Sequence, residues 1–317
     1  MLAICWVTGA TAAQPPAGGD AAAYLFAHMT AEDYGGLYYS VSTDGLNWKP
    51  LNGGKRVHPD YRGHPDITRG HDGRYYLLGN RARDEQPRIR IWASEDLVEW
   101  KMEQEFIADF SVLDVNPPTS WHGAAKMFYD KASGKYVLTW HSASEERVRR
   151  DDFIDENYWG SMRTYFIEST DLANWSKPGR LFDFDHATID VIIREENGRY
   201  YAIIKDETHP SFGHPDGKAI RIASASSPTG PWQSASPRVS PNFREAPMLI
   251  RNPDDTAWYL YYEQYPGVQY GMSTAETLQG PWWHFYVNRI GIPEGARHGC
   301  MIEISRAELD KLTRHFE

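Results

Sequence analysis

The sequence predicts an all-β protein, a five-bladed β-propeller closed by pairing of its N- and C-terminal strands. Three observations carry this reading. First, one strand is written several times: "GRYYAIIKDE" (198–207) has near-copies in "GRYYLLGN" from Gly73, "GKYVLTWHS" from Gly134 and "TAWYLYYEQY" from Thr256. Second, a phrase of alternating strand, Ser/Thr/Asp turn and closing tryptophan recurs, ending at Trp48, Trp100, Trp175, Trp232 and Trp282. Third, these tryptophans recur at spacings of 52, 75, 57 and 50 residues, and a period near 50 marks a propeller rather than a sandwich.

Each unit is completed by a further strand before its Tyr-rich run. These strands are "HPDITRG" (64–70), "AAKMFYD" (124–130), "IDVIIRE" (189–195), "EAPMLIR" (245–251) and "HGCMIEIS" (298–305). The last has no Tyr-rich strand after it, and "AYLFAHM" (23–29) has no such strand before it. The simplest closure places 298–305 in the blade begun by 23–51, which removes the open edges of the ring. One short helix is expected over "SRAELDKL" (305–312), with Ser305 as cap and Glu308 at the capping-box position.

Length and composition fit this architecture. The chain has 317 residues, 41% hydrophobic and 24% charged, with 12 Trp and 19 Tyr. Aromatic residues favour strands, and their flat faces also suit sugar rings. The net charge of −10 argues against a nucleic-acid partner, which requires a basic stripe. The start, "MLAICWVTGATAAQPPAGGD", joins a short apolar run to small residues and a Pro/Gly linker. It reads as a signal peptide and linker over residues 1–19, ahead of a single propeller domain over 20–317, and implies a periplasmic or secreted protein. The apolar run is too short to span a bilayer. Cys5 and Cys300 are the two cysteines, so removal of the leader leaves one thiol and no intrachain disulfide.

In a propeller the innermost strands line a central channel and their first residues converge at one mouth. Here those starts are His64, Trp121–His122, Asp190, Glu245 and His298. Ionisable groups at equivalent positions of several blades point to a pocket with acid–base chemistry. Carboxylates close together push one pKa upward and so supply a protonated acid at neutral pH. Cleavage of a glycosidic bond needs such an acid, and a second group to activate water. Phe26, Trp121, Trp140, Tyr158 and Trp159 are candidates for a stacking platform, and His28, His141 and His186 are further histidines that the channel can gather.

The phrases "IDVIIREENGRYYAIIKDE" (189–207), "REAPMLIR" (244–251), "WYLYYEQY" (258–265) and "RHGCMIEIS" (297–305) resemble glycoside hydrolase family 43, whose five-bladed propellers remove arabinofuranose, xylose or galactofuranose. The resemblance covers 23–312. It implies Glu245, in Glu-Ala-Pro, as general acid and Asp190 as the residue that holds that acid and tunes its pKa. His298, in Arg-His-Gly, becomes the central histidine. Beside it Arg297, Trp121, His122 and Phe26 are expected as substrate contacts on their position in the chain, not on the resemblance. It also implies inversion, with acid and base about 6.5–9.5 Å apart. No cofactor is required, although some relatives hold a Ca²⁺ in the channel; nothing in the sequence demands Zn²⁺.

Two departures matter. The family's general base is an Asp directly before Pro, whereas "GHPDI" puts His64 there and Asp66 two residues later. Residues two apart share a strand face, so Asp66 can also reach the channel. His64 as base, Asp66 as base, and a propeller that binds sugar without cleaving it all stay open. The family's Trp-Ala-Pro is replaced by "SWHGAAKM". The expected function is an exo-acting glycosidase trimming plant, algal or microbial polysaccharide. A non-catalytic carbohydrate-binding propeller, or a related enzyme using histidine chemistry on anhydro or uronic sugars, are the alternatives. No Gly-x-Gly-x-x-Gly after a strand, Walker loop or Gly-x-Ser-x-Gly elbow is present.

Overall fold

A computed structural model of the chain describes residues 23–80, 88–108, 123–144, 156–267 and 269–317. The expected leader and linker over 1–19 lie outside the described residues. So do most of the loop residues between 104 and 123 and between 143 and 163 that sequence reading places at the pocket rim.

Five antiparallel sheets form a five-bladed propeller. The first blade contains Ala296–Ile304, Ala23–Thr30, Tyr38–Ser42 and Lys49–Pro50, from the axis outward. The second is Asp66–Arg69, Tyr75–Asn80, Ile89–Ser94 and Lys101–Phe106; the third is Gly123–Asp130, Lys135–Ala143, Met162–Ser169 and Gly179–Arg180. The fourth has Thr188–Glu196, Arg199–Asp206 and Ala219–Ala225; the fifth has Arg244–Arg251, Trp258–Gln264, Tyr270–Ala275 and Trp283–His284. The closure expected from the unpaired phrases is present: the C-terminal strand runs antiparallel to the first, from Ala23 opposite Ile304 to Thr30 opposite Ala296.

The Tyr-rich strands recur because each must bury both faces. Side chains alternate along a strand, so neighbouring residues enter different inter-blade cores. Tyr75 and Leu77 pack toward the first blade with Leu25 and Tyr39, while Tyr76 and Leu78 pack toward the third with Leu138 and Trp140. Tyr200, Ala202 and Ile204 likewise face the third blade, and Tyr201 and Ile203 the fifth. The Asp of each clear turn phrase caps it: Asp44 accepts the N–H groups of Leu46 and Asn47, and Asp96 and Asp171 do the same in their blades.

The fourth blade departs from the four-strand pattern. Its outer segment keeps only separated ladder bonds, from Gln233 N to Ser224 O, Ser236 N to Ile222 O and Val239 N to Ile220 O. Pro231 and Pro237 have no N–H to donate there, which explains why this looser copy of the phrase makes no regular edge strand. The closing helix spans Arg306–Phe316 with the full Ser305/Glu308 capping box, and it buries Leu309 and Leu312. Among the described residues no helix is long and apolar enough to cross a membrane.

Candidate active site

Four innermost strands carry the same irregularity near the mouth. Ladder pairing skips between Gly123 and Lys126, between Ile189 and Ile192, between Glu245 and Met248, and at Arg297/Gly299. In each skip one non-glycine residue takes a left-handed backbone: Ala124 (φ 37°), Asp190 (φ 51°), Ala246 (φ 50°) and His298 (φ 24°). These are β-bulges, which leave one residue unpaired and re-aim the side chains around it. Pro247 falls inside its bulge, where a missing N–H breaks no ladder bond.

The bulges bring Asp190, Glu245 and His298 together from three blades, although Glu245 and His298 are 53 positions apart in sequence by their numbers. All three are buried. His298 Nε2 lies 3.2 Å from Glu245 Oε1 and 3.1 Å from Glu263 Oε1. Arg297 pairs with Glu263 at 2.9 Å and with Glu245 at 3.4 Å. Asp190 Oδ2 accepts the Ala246 N–H at 3.2 Å, which fixes the backbone next to Glu245.

A second tier supports the first. His141 Nδ1 accepts the Asp190 N–H at 3.4 Å, Lys205 Nζ lies 4.0 Å from Glu245 Oε2, and Glu263 Oε2 accepts the His298 N–H at 3.0 Å. Each of these supporting residues comes from the second strand of the blade preceding the one it supports. Sequence reading missed Lys205 and Glu263, but a signal was present. His141, Lys205, Glu263 and Asn80 all stand seven residues after the first residue of their Tyr-rich copies.

The electrostatics follow from these contacts. Burial opposes a charge on His298, but Glu263 and Glu245 outweigh it and raise its pKa to about 9. Burial alone would raise the Glu245 carboxyl. The hydrogen bond from His298 and the charges of His298, Lys205 and Arg297 instead hold it well below the usual carboxylate range. This overturns the expectation that crowding of carboxylates keeps Glu245 protonated; the raised carboxyl is Glu263, which is buried beside Glu245. Burial lowers Lys205 to about 8 and His141 to about 4.

His64 stacks on His298 with ring centroids 4.5 Å apart, and its Nε2 meets the Tyr34 hydroxyl at 3.0 Å. Burial, and then the neighbouring charges of His298 and Lys126, push it well below its ordinary value, so it is neutral. Its Nδ1 is buried without a partner among the described residues. Asp66 lies deeper, accepting the Met127 N–H at 2.8 Å with Lys126 Nζ at 3.7 Å. Lys126 also donates to Gly299 O at 3.2 Å, tying the inner strand of the third blade to that of the first.

Other expected contacts fall elsewhere. Phe26 is fully buried between the fifth and first blades against Trp48 and Tyr270, so its ring is not open to a sugar. Trp121 and His122 lie outside the described residues. Trp140 is a core residue between the second and third blades. His28 is held inside the first blade by Met29 O and Ser40 Oγ, and His186 sits beside Asp206 and His214. Neither belongs to the gathered set.

His64, Asp190 and His298, and likewise Glu245, Glu263 and His298, bring potential ligand atoms within 4.8 Å of one another. Neither set by itself supplies the six to eight oxygen ligands of Ca²⁺. Here the carboxylates already face His298, Arg297 and Lys205, and the central nitrogen carries a proton. The arrangement holds a proton between two carboxylates.

The sequence matches the family described as "Probable glycosyl hydrolase domain", related to glycoside hydrolase family 43, over residues 20–310. The chain belongs to this family. Among solved structures, the α-L-arabinofuranosidase of Lactobacillus brevis aligns at 18% identity and a TM-score of 0.54, over 71% of this chain and 72% of its own. The exo-β-1,3-galactanase of Clostridium thermocellum aligns at 18% identity and 0.51, over 77% of this chain and 51% of its own. That of Phanerochaete chrysosporium gives 14% and 0.51, over 76% and 53%. The chain thus spans about half the length of these galactanases. At such identities the likeness shows the shared propeller alone. No curated protein sequence matches the chain. As a member of its family it is a family 43-like propeller hydrolase, and the bulges around Asp190, Glu245 and His298 lie within the matched region.

Proposed function

We propose that the protein is an exo-acting, inverting glycoside hydrolase. It removes arabinofuranose-, xylose- or galactofuranose-type units from polysaccharide in the periplasm or outside the cell. The observation that supports this is Glu245, 3.2 Å from a protonated His298 at the mouth of the channel. A carboxylate beside a charged imidazole receives a proton and passes it to a leaving oxygen, as a general acid does. Asp190 holds the acid through the Ala246 N–H. His64, neutral and with Nδ1 unpartnered among the described residues, is the better-placed base; Asp66 is engaged with Met127 and Lys126.

The test is sugar release from a panel of aryl furanosides and pyranosides, with product anomer followed by NMR. Glu245→Gln is expected to lower kcat by about 10²–10⁴-fold, with binding retained. A wild type that releases nothing from aryl glycosides or polysaccharides overturns the reading.

One observation favours a second reading, a propeller that binds carbohydrate without cleaving it. Glu245 is ionised at rest and a histidine replaces the family's base Asp. Retention by polysaccharide in native affinity gels, without any product, selects that alternative.

A further inference from the structure

Lys205 and Glu263 are charged side chains almost wholly buried beside the channel, with exposures of 1% and 0%. Burying a charge is costly unless the fold uses it. They occupy the same repeat position in consecutive blades, and each reaches forward to the next blade's inner strand. Lys205 faces Glu245, while Glu263 faces both the ring and the backbone N–H of His298.

We propose that these two are positioning residues acting on the acid from opposite sides: Glu263 keeps the transferable proton on His298, and Lys205 keeps Glu245 empty to receive it. This rests on the reading of Glu245 as the acid. In the transfer, the His298 Nε2–H bond breaks as a Glu245 O–H bond forms. Both partners become neutral, and the carboxylic acid then protonates the leaving oxygen. The proton returns to His298 from solvent after product leaves.

The groups facing the pair come from every neighbouring blade. His298 is faced by Glu245 and Glu263 from the fifth blade, Asp190 from the fourth, His141 from the third, and His64 and Tyr34 at the mouth. Glu245 is faced by His298, Arg297 and Lys205. The lysine is itself paired with Glu207, which Lys218 joins to the partly exposed Glu156. A string of alternating charge therefore runs from the channel to the surface and holds the ammonium in place.

Glu263→Gln and Lys205→Met remove one charge each with little change of shape. Two readouts follow in wild type and variants: the alkaline limb of the rate profile, and the His298 ring proton by NMR titration, assigned with His298→Gln. The expected result is opposite movement. Glu263→Gln lowers the His298 midpoint and the alkaline limb by roughly one to three pH units, the effect of one close charge. Lys205→Met raises both, and Lys205→Arg leaves them near wild type. Limbs and midpoints that stay put, or move together, overturn the proposal. Should Lys205→Met fail to fold, the direction in Glu263→Gln decides. Should wild type release no sugar, the acid assignment fails while the titration still tests the charge arrangement.

Discussion

His64 and His298 stack at 4.5 Å between ring centroids, yet only His298 carries a charge. The difference lies in what faces each ring. Two carboxylates converge on His298 Nε2, whereas His64 Nε2 meets a tyrosine hydroxyl. A cationic and a neutral imidazole in contact make a proton donor and a proton acceptor adjacent at the same mouth.

This asymmetry predicts how stability depends on pH. The folded-state pKa of His298 is raised from 6.5 to about 9, so its contribution is fully present below 6.5 and is lost as pH rises through 9. Glu245 is depressed, so its contribution is present above 4.5 and is lost as pH falls. Urea midpoints measured from pH 6 to 10 are expected to decline more steeply in wild type than in His298→Gln. Equal slopes would show that His298 is not charged by its neighbours.

His64 and Asp66 separate by their roles. His64→Ala is expected to cut kcat by about 10²–10⁴-fold with little change in unfolding. Asp66→Ala is expected to destabilise by about 3–5 kcal/mol, because it strands the buried Lys126. Parallel kinetics and denaturation distinguish them; the reverse pattern would make Asp66 the base.

Ala246 tests the bulge. Its φ of 50° costs an alanine about 1–2 kcal/mol, part of which glycine gives back as chain entropy. Ala246→Gly is expected to raise stability by about 0.5–1 kcal/mol and keep the Asp190 contact. Calorimetry reads the change, and a loss of stability would contradict the strain.

Leu312 is fully buried where the closing helix meets the first blade. Leu312→Ala is expected to destabilise by about 2–5 kcal/mol, read from denaturant unfolding. A cost below 1 kcal/mol would show that the helix is a loosely held appendage.

The ring itself was legible because Tyr-rich strands and tryptophan turns recur, and a repeated demand for two buried faces leaves a repeated phrase. Asp190, Glu245 and His298 were legible as the first residues of inner strands. Phe26 was misread because it lies on the second strand of its blade, where alternate side chains enter one inter-blade core or the other. Lys205 and Glu263 were overlooked because each lies in a hydrophobic run that reads as core. The charge on Glu245 was out of reach, since its three cations come from strands distant in sequence.

The seam of the ring has a consequence for biogenesis. Arg297 and His298 sit on the strand that seals the first blade. A nascent or truncated chain ending before that strand has an open sheet edge and half a proton pair. Closing the circle and assembling the His298–Glu245 pair are therefore one event.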